Sequence, residues 1–183
     1  MANRYVAGAS GVPFAILRGY SGTGLEGLPG LDGQPAIRSV TCPFTGERLT
    51  AVAALNPDVA IIHAQRADRA GNVQLWGITG VQKEAVLSAH RSIATVEEIV
   101  DELRPEPGAV VLPSWVVDYV AAAPGGAQPS YALGYSARDN DYYQAWDTIS
   151  RDRERFSRWL ADEVDGETGS LAGAGAAEGG CGA

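Results

Sequence analysis

Asn56-Pro57-Asp58-Val59-Ala60-Ile61-Ile62-His63-Ala64-Gln65-Arg66-Ala67-Asp68-Arg69-Ala70-Gly71-Asn72 is the stretch on which the architecture turns. The Asn56-Pro57-Asp58 turn isolates the apolar run Val59 to Ile62. Because that run is continuous rather than alternating, it predicts a strand covered on both faces, as in an α/β sheet. The strand then breaks into the polar series His63, Gln65, Asp68, Gly71 and Asn72, at the strand end where open sheets let side chains converge on a ligand. His63 offers two ring nitrogens that donate or accept protons. Gln65 and Asn72 offer amides, and Asp68 can orient a donor or hold a turn. The same residues have a plainer use: His63 and Gln65 can satisfy local backbone groups, and Asp68, Gly71 and Asn72 have the chemistry of a tight turn.

Outward from this centre, Gly8, Gly11 and Pro13 punctuate a turn before the strand Phe14–Leu17. A glycine-rich loop from Gly19 to Gly33 follows; it lacks the spacing of a dinucleotide fingerprint. Ala36–Val40 reads as a strand and Leu49–Leu55 as a strand or short helix. Val81–His90 reads as a helix and Ser92–Val100 as a strand and turn. Ala109–Pro113 is another buried strand, after which Ser114 is placed to cap a helix from Trp115 through Val120. Pro129–Tyr135 reads as extended. Tyr142, Trp146, Ile149, Phe156 and Leu160 recur at helical spacing behind an Asp139 or Asn140 cap, an aromatic stripe expected to dock on the sheet or a partner subunit. These elements predict an α/β fold with an open, mostly parallel sheet flanked by helices, occupying residues 1–165, with a flexible Gly/Ala-rich tail at 166–183.

The chain has 183 residues, enough for one ordinary domain. Its 14 Lys and Arg stand against 22 Asp and Glu, a formal charge of -8. Bulk electrostatics therefore give no attraction for nucleic acid or an anionic membrane. Two cysteines, Cys42 and Cys181, do not make a disulfide framework. Cys42 is expected to be a reduced structural thiol. No apolar run approaches the roughly eighteen residues of a membrane span, and no secretory pattern opens the chain, so a soluble cytoplasmic protein is expected. His63 and His90 are too far apart in sequence, and Cys42 too isolated, to suggest a metal site. Ser10 and Ser114 lie outside any nucleophile-elbow motif, so hydrolysis through serine is a weak reading.

The segments Gly8-Ala9-Ser10-Gly11-Val12-Pro13-Phe14, Asn56 to His63 with Gln65, Ala67-Asp68 and Gly71-Asn72, Thr95-Val96-Glu97-Glu98-Ile99-Val100 and Pro124-Gly125-Gly126-Ala127 together carry a further signal. In that order and spacing the chain resembles the alpha subunit of family I coenzyme A transferases, the group of glutaconate and 3-oxoacid transferases, over roughly residues 4 to 160. The resemblance implies a two-subunit enzyme that moves coenzyme A between an acyl-CoA thioester and a carboxylic acid. It also implies a covalent glutamate contributed by a beta-type partner, an acyl-CoA substrate and no tightly bound cofactor. No glutamate of this chain inherits the covalent role, and His63, Gln65, Asp68 and Asn72 become supporting candidates in the site wall. The same scaffold is implied for a ring-opening CoA-thioester hydrolase, and a noncatalytic interaction subunit is a third reading. A complete subunit of the family has a large section ahead of the region resembling Arg4–Phe14. The sheet is accordingly expected to be incomplete and the chain inactive alone.

Overall fold

The computed structural model describes residues 1–30, 33–104 and 106–166. The expected tail therefore lies, apart from Gly166, outside the described residues. The described residues divide into two compact units, Met1–Ala127 with Ala132–Ala137, and Gln128–Tyr131 with those from Arg138 to Gly166.

The first unit is organised by two strands of ten residues each, β4 (Val59–Asp68) and β6 (Arg91–Val100), which run parallel and in register from Val59 opposite Arg91 to Asp68 opposite Val100. A parallel pair needs a crossover, and α2 (Gln82–Ser88) supplies it. β5 (Val73–Leu75) follows β4 after only the Arg69–Asn72 turn, too short for anything but an antiparallel hairpin. β7 (Val110–Leu112) pairs antiparallel with β5, and β8 (Tyr119–Ala122) pairs parallel with β6, giving the order β7-β5-β4-β6-β8. The α/β class and the open, helix-flanked sheet agree with expectation. The directions are mixed rather than mostly parallel, because the connections on the β5 side leave no room for a crossover.

Three further strands, β1 (Phe14–Leu17), β2 (Ile37–Thr41) and β3 (Arg48–Ala53), form a separate antiparallel sheet in the order β1-β3-β2. Before it lies a helix the sequence reading did not anticipate, α1 (Ala2–Ala9), tied down by Arg4 Nε donating to Ala53 O at 2.9 Å. The Gly8 read as turn punctuation sits inside this helix. A β-carbon there would collide with Leu55 O, lie 2.7 Å from Asn56 Oδ1 and lie 2.9 Å from Ser88 Cβ. Glycine at this position lets α1 come close to α2 and to the segment entering β4.

Ala60, Ile62 and Ala64 on β4 and Ala94 and Val96 on β6 join Val73, Leu75, Val86, Leu112 and Val117 in the core. Each large member contributes about 1.5–3 kcal/mol by leaving water. The expectation that β4 is covered on both faces holds only in part. Ala60 and Ile62 are buried, but Val59 and Ile61 on the other face are 47% and 71% exposed. β4 also does not break at His63: it runs on to Asp68, so His63, Gln65 and Asp68 are strand residues and Gly71 and Asn72 lie in the turn that follows.

The helix expected from Trp115 is absent. Ser114–Val116 makes one 3-10 turn and the chain enters β8. The Asp118 carboxylate accepts from Ser92 N at 2.7 Å and from Arg91 Nη1 at 2.9 Å, pulling the segment into line beside β6. Val117 and Val120 suit that extended course. Ser114 caps nothing with its side chain; its backbone N–H donates to Asn72 Oδ1 at 3.0 Å.

In the second unit α3 (Asn140–Ser150) begins at Asp139, whose carboxylate accepts from Tyr142 N at 2.9 Å, as the cap expectation required. α4 (Arg153–Trp159) is capped in the same way by Asp152. The expected aromatic stripe closes on itself: Trp146 lies 4.6 Å from Trp159, 6.2 Å from Phe156 and 6.3 Å from Tyr142, centroid to centroid.

Gly8→Ala should lower stability by about 1–3 kcal/mol, because neither the backbone carbonyl nor the helix contact can yield cheaply. Thermal unfolding beside a Gly24→Ala control, where a β-carbon meets nothing within 4 Å, checks it. Equal melting points would mean that α1 does not need this approach.

Candidate active site

Parallel in-register pairing places His63 opposite Thr95, and Thr95 opposite Ala121 on β8. Strand alternation sets His63 on the same face as Gln65 and Thr95 on the same face as Glu97. His63 Nδ1 lies 2.9 Å from Thr95 Oγ1 and Nε2 lies 3.0 Å from Glu97 Oε1. The other Glu97 oxygen accepts from Gly125 N at 2.6 Å. The Glu97 side chain is 4% exposed and that of His63 is 17% exposed, so a buried carboxylate and a mostly covered imidazole share a hydrogen-bonded contact. Low local dielectric makes such a contact strong when satisfied and costly when broken.

The cover over this pair is the turn Ala123–Ala127, at the carboxyl end of β8 where α/β sheets hold ligands. Ala123 N donates to Val96 O and Gly126 N to Ala123 O. A β-carbon on Gly126 would stand 3.0 Å from His63 Cε1, 3.1 Å from Nδ1 and 2.9 Å from Ala123 O, so glycine lets the turn lie against the ring. On the open side of His63, one row nearer the strand starts, Ile61, Ile93 and Tyr119 stand abreast on the same face. Ile61 and the 62% exposed Tyr119 are largely uncovered. The result is an apolar floor with a hydroxyl and an imidazole edge at one end.

The other candidates have local duties. Both ends of the Gln65 amide go to one residue: Nε2 donates to Trp76 O and Oε1 accepts from Trp76 N, each at 3.2 Å. Asp68 accepts from Asn72 N at 2.9 Å and from Asn72 Nδ2 at 2.8 Å, while Asn72 Oδ1 holds Ser114 N. Gly71, at φ +88°, closes that turn where a side chain would be strained. Burial works to raise the Asp68 carboxyl. The Asn72 hydrogen bonds and the N–H groups of Ala70 and Gly71 outweigh it and hold the group below the ordinary carboxylate range.

Thus His63 belongs to a convergent cluster, Gln65 pins a neighbouring strand end, and Asp68 with Asn72 ties β4, β5 and the Ser114 turn together. The sequence reading missed Thr95 and Glu97 as the partners of His63 and Arg66 as a support. On the opposite face Arg66 donates to Glu98 Oε2, Tyr135 Oη and Glu106 Oε1, and lies over the Trp76 ring. Cys42 is half-buried in the β2–β3 turn rather than in an apolar core. Hydrogen bonds from the Thr45 hydroxyl and the Phe44 and Thr45 N–H groups hold its thiol below its usual range. Among the described residues no helix is long and apolar enough to cross a membrane.

An open mixed sheet with His63, Thr95 and Glu97 gathered midway along β4 and β6, beside the carboxyl end of β8, makes an α/β scaffold with a candidate site on one face. The family model described as coenzyme A transferase matches residues 1–123, and the chain belongs to that family. It is 56% identical to the A-type subunit of the 3-oxoadipate CoA-transferase of Pseudomonas knackmussii over 166 residues, 91% of this chain and 57% of that protein. It is 34% identical over 176 residues to the A-type subunit of the glutaconate CoA-transferase of Acidaminococcus fermentans, 87% of this chain and 55% of that one. The crystal structure of glutaconate coenzyme A-transferase from the same organism superposes with a TM-score of 0.75 at 29% identity, covering 94% of this chain and 60% of that chain. A more distant relative, 25% identical over 173 residues, is the cholesterol ring-cleaving hydrolase IpdA subunit of Rhodococcus jostii, covering 87% of this chain and 56% of that protein. The chain spans a little over half the length of these relatives.

The depressed Asp68 group contributes stability that is present above its unfolded-state value and is lost as pH falls through its folded-state value. Asp68→Asn should therefore cost about 1–2 kcal/mol at neutral pH, with its melting curve converging on the wild type in acid. Parallel curves at every pH would remove the carboxylate from this turn's energetics.

Proposed function

We propose that this chain forms the alpha-type half of an enzyme that moves coenzyme A between an acyl-CoA thioester and a carboxylic acid, with a beta-type subunit contributing the covalent glutamate. The observation that carries the proposal is 56% identity to one subunit of a 3-oxoadipate CoA-transferase across 91% of the chain. The site chemistry is compatible with it. Glu97, the buried carboxylate among the described residues, is committed to His63 and Gly125, and so is not an unpaired nucleophile.

In the proposed reaction the partner's carboxylate attacks the thioester carbonyl and expels the CoA thiolate, leaving an acyl anhydride. The thiolate then attacks the glutamyl carbonyl of that anhydride, releasing the first acid and leaving a glutamyl-CoA thioester. A second acid runs the sequence in reverse, so no water is consumed. Each step develops an oxyanion that fixed donors stabilise. In this reading His63 with Thr95 borders the acyl end. Gln65, Asp68 and Asn72 hold the wall rigid through Trp76 and Ser114. Coenzyme A enters as substrate, no tightly bound cofactor takes part, and the complex works in the cytoplasm.

The similarity to the ring-cleaving hydrolase subunit supports a second reading, thioester-linked ring opening by water. Its 25% identity against 56% places it behind the transferase. Co-expression with beta-type candidates, size-exclusion chromatography and mass measurement should recover a complex. That complex should exchange CoA between acyl-CoA and free acid faster than it releases free CoA. Water-dependent opening of a cyclic acyl-CoA with its thioester retained would select the hydrolase reading, and a folded complex with neither activity would select a noncatalytic role. Within an active complex Cys42→Ser should leave exchange within about twofold, since the thiol is placed in a hairpin turn rather than in the His63 cluster.

A further inference from the structure

Thr95 has one hydroxyl hydrogen and two acceptors within reach, His63 Nδ1 at 2.9 Å and Ile62 O at 3.3 Å. On the far side of the ring Glu97 faces Nε2, and its other oxygen already accepts from Gly125. A carboxylate in that position accepts a hydrogen bond from Nε2, so a neutral ring carries its hydrogen there and leaves Nδ1 as an acceptor for Thr95. If anything else takes the Thr95 hydrogen, Nδ1 is left facing a hydroxyl oxygen with no hydrogen between them. A second proton on the ring repairs the contact without moving a heavy atom: Nδ1 then donates to Oγ1, and Oγ1 donates outward.

We propose that Thr95 Oγ1 donates to a carboxylate oxygen of the acid substrate, and that His63 takes up a proton at Nδ1 when it does. The inference rests on the transferase reading for the identity of the ligand as a carboxylic acid. The open side of the cluster suits the rest of such a ligand. Ile61, Ile93 and Tyr119 form an apolar row beside the hydroxyl, with Ile61 and Tyr119 exposed and Ile93 half-buried, and Ala121 next to Thr95 leaves the approach uncrowded. The imidazolium formed lies between Glu97 and the bound carboxylate, so one proton offsets the second negative charge brought to the site. The other ionisable groups on this face are few. Tyr119 lies one row away on β8, and Arg91 lies two rows away at the start of β6, already paired with Asp118. The covering turn Ala123–Ala127 has no ionisable side chain. Thr95 is thus a substrate-binding residue, and His63 acts through it.

The test is titration calorimetry of the reconstituted complex with glutarate, a plain dicarboxylate, in buffers of different ionisation enthalpy at neutral pH. Binding should take up about one proton per site. Thr95→Val, which keeps the shape and removes the hydroxyl, should abolish the uptake and weaken glutarate roughly tenfold, while Thr95→Ser restores both. Nitrogen-15 spectra of the histidines, with His90→Gln for assignment, should show His63 Nδ1 passing from acceptor to protonated nitrogen on addition of glutarate. A His63 resonance unmoved at saturating glutarate, or uptake surviving in Thr95→Val, overturns the proposal even when exchange activity is intact. If the complex exchanges no acid and His63 does not respond to glutarate, both this proposal and the transferase reading fail. A His63 response without exchange leaves the proton linkage standing and removes only the transferase.

Discussion

The parallel pairing of β4 with β6 is the constraint from which the rest of the first unit follows. Ten residues of one strand stand beside ten of the other in one register. That register decides which side chains meet: Ile61 with Ile93, His63 with Thr95, Arg66 with Glu98. A slip of one residue would send His63 to the core face and Ile62 to the open one. The register is held at the strand starts, where His90 N donates to Pro57 O at 2.9 Å and Arg91 N to Asp58 O at 3.0 Å.

This constraint also explains what could be read in the sequence. Apolar runs bounded by turn residues located β1, β2, β4, β6 and β7, and a small-residue helical pattern located α2. Each of these signals is local. Trp115–Val120 misled because its apolar residues suit helix and strand alike; the deciding partner, Ser92, lies far back in the chain. The mixed sheet followed from connection lengths, since a turn as short as Arg69–Asn72 cannot carry a crossover. The exposure of Val59 and Ile61 is a property of what else packs on the sheet, which an apolar run alone does not encode.

The site was legible on one strand only. His63, Asp68 and Asn72 stood out because donors were dense after an apolar run, and two of them prove to be turn chemistry. Thr95 and Glu97 lie 32 and 34 positions beyond His63, and neither belongs to a motif that announces chemistry. One signal was available. His63 is four residues into β4 and Thr95 four residues into β6. Two strands joined by a crossover helix and starting level would place them side by side. Drawing that conclusion needs the register first, which composition and periodicity do not fix.

Gln65 has a consequence that reaches past the site. Its primary amide presents one donor and one acceptor in the geometry of a peptide group, and both are taken by the backbone of Trp76. The β4–β5 ladder thereby gains a rung made from a side chain, just beyond the last rung made from main chain at Arg66 and Gln74. Because β4 supplies that rung from a side chain, the chain after Leu75 leaves the sheet at once through Gly77 while its departure point stays fixed. A counterfeit peptide bond of this kind separates two properties that ordinary strands keep together, the length of a strand and the reach of its anchoring. The loop that follows springs from a strand end that β4 itself holds.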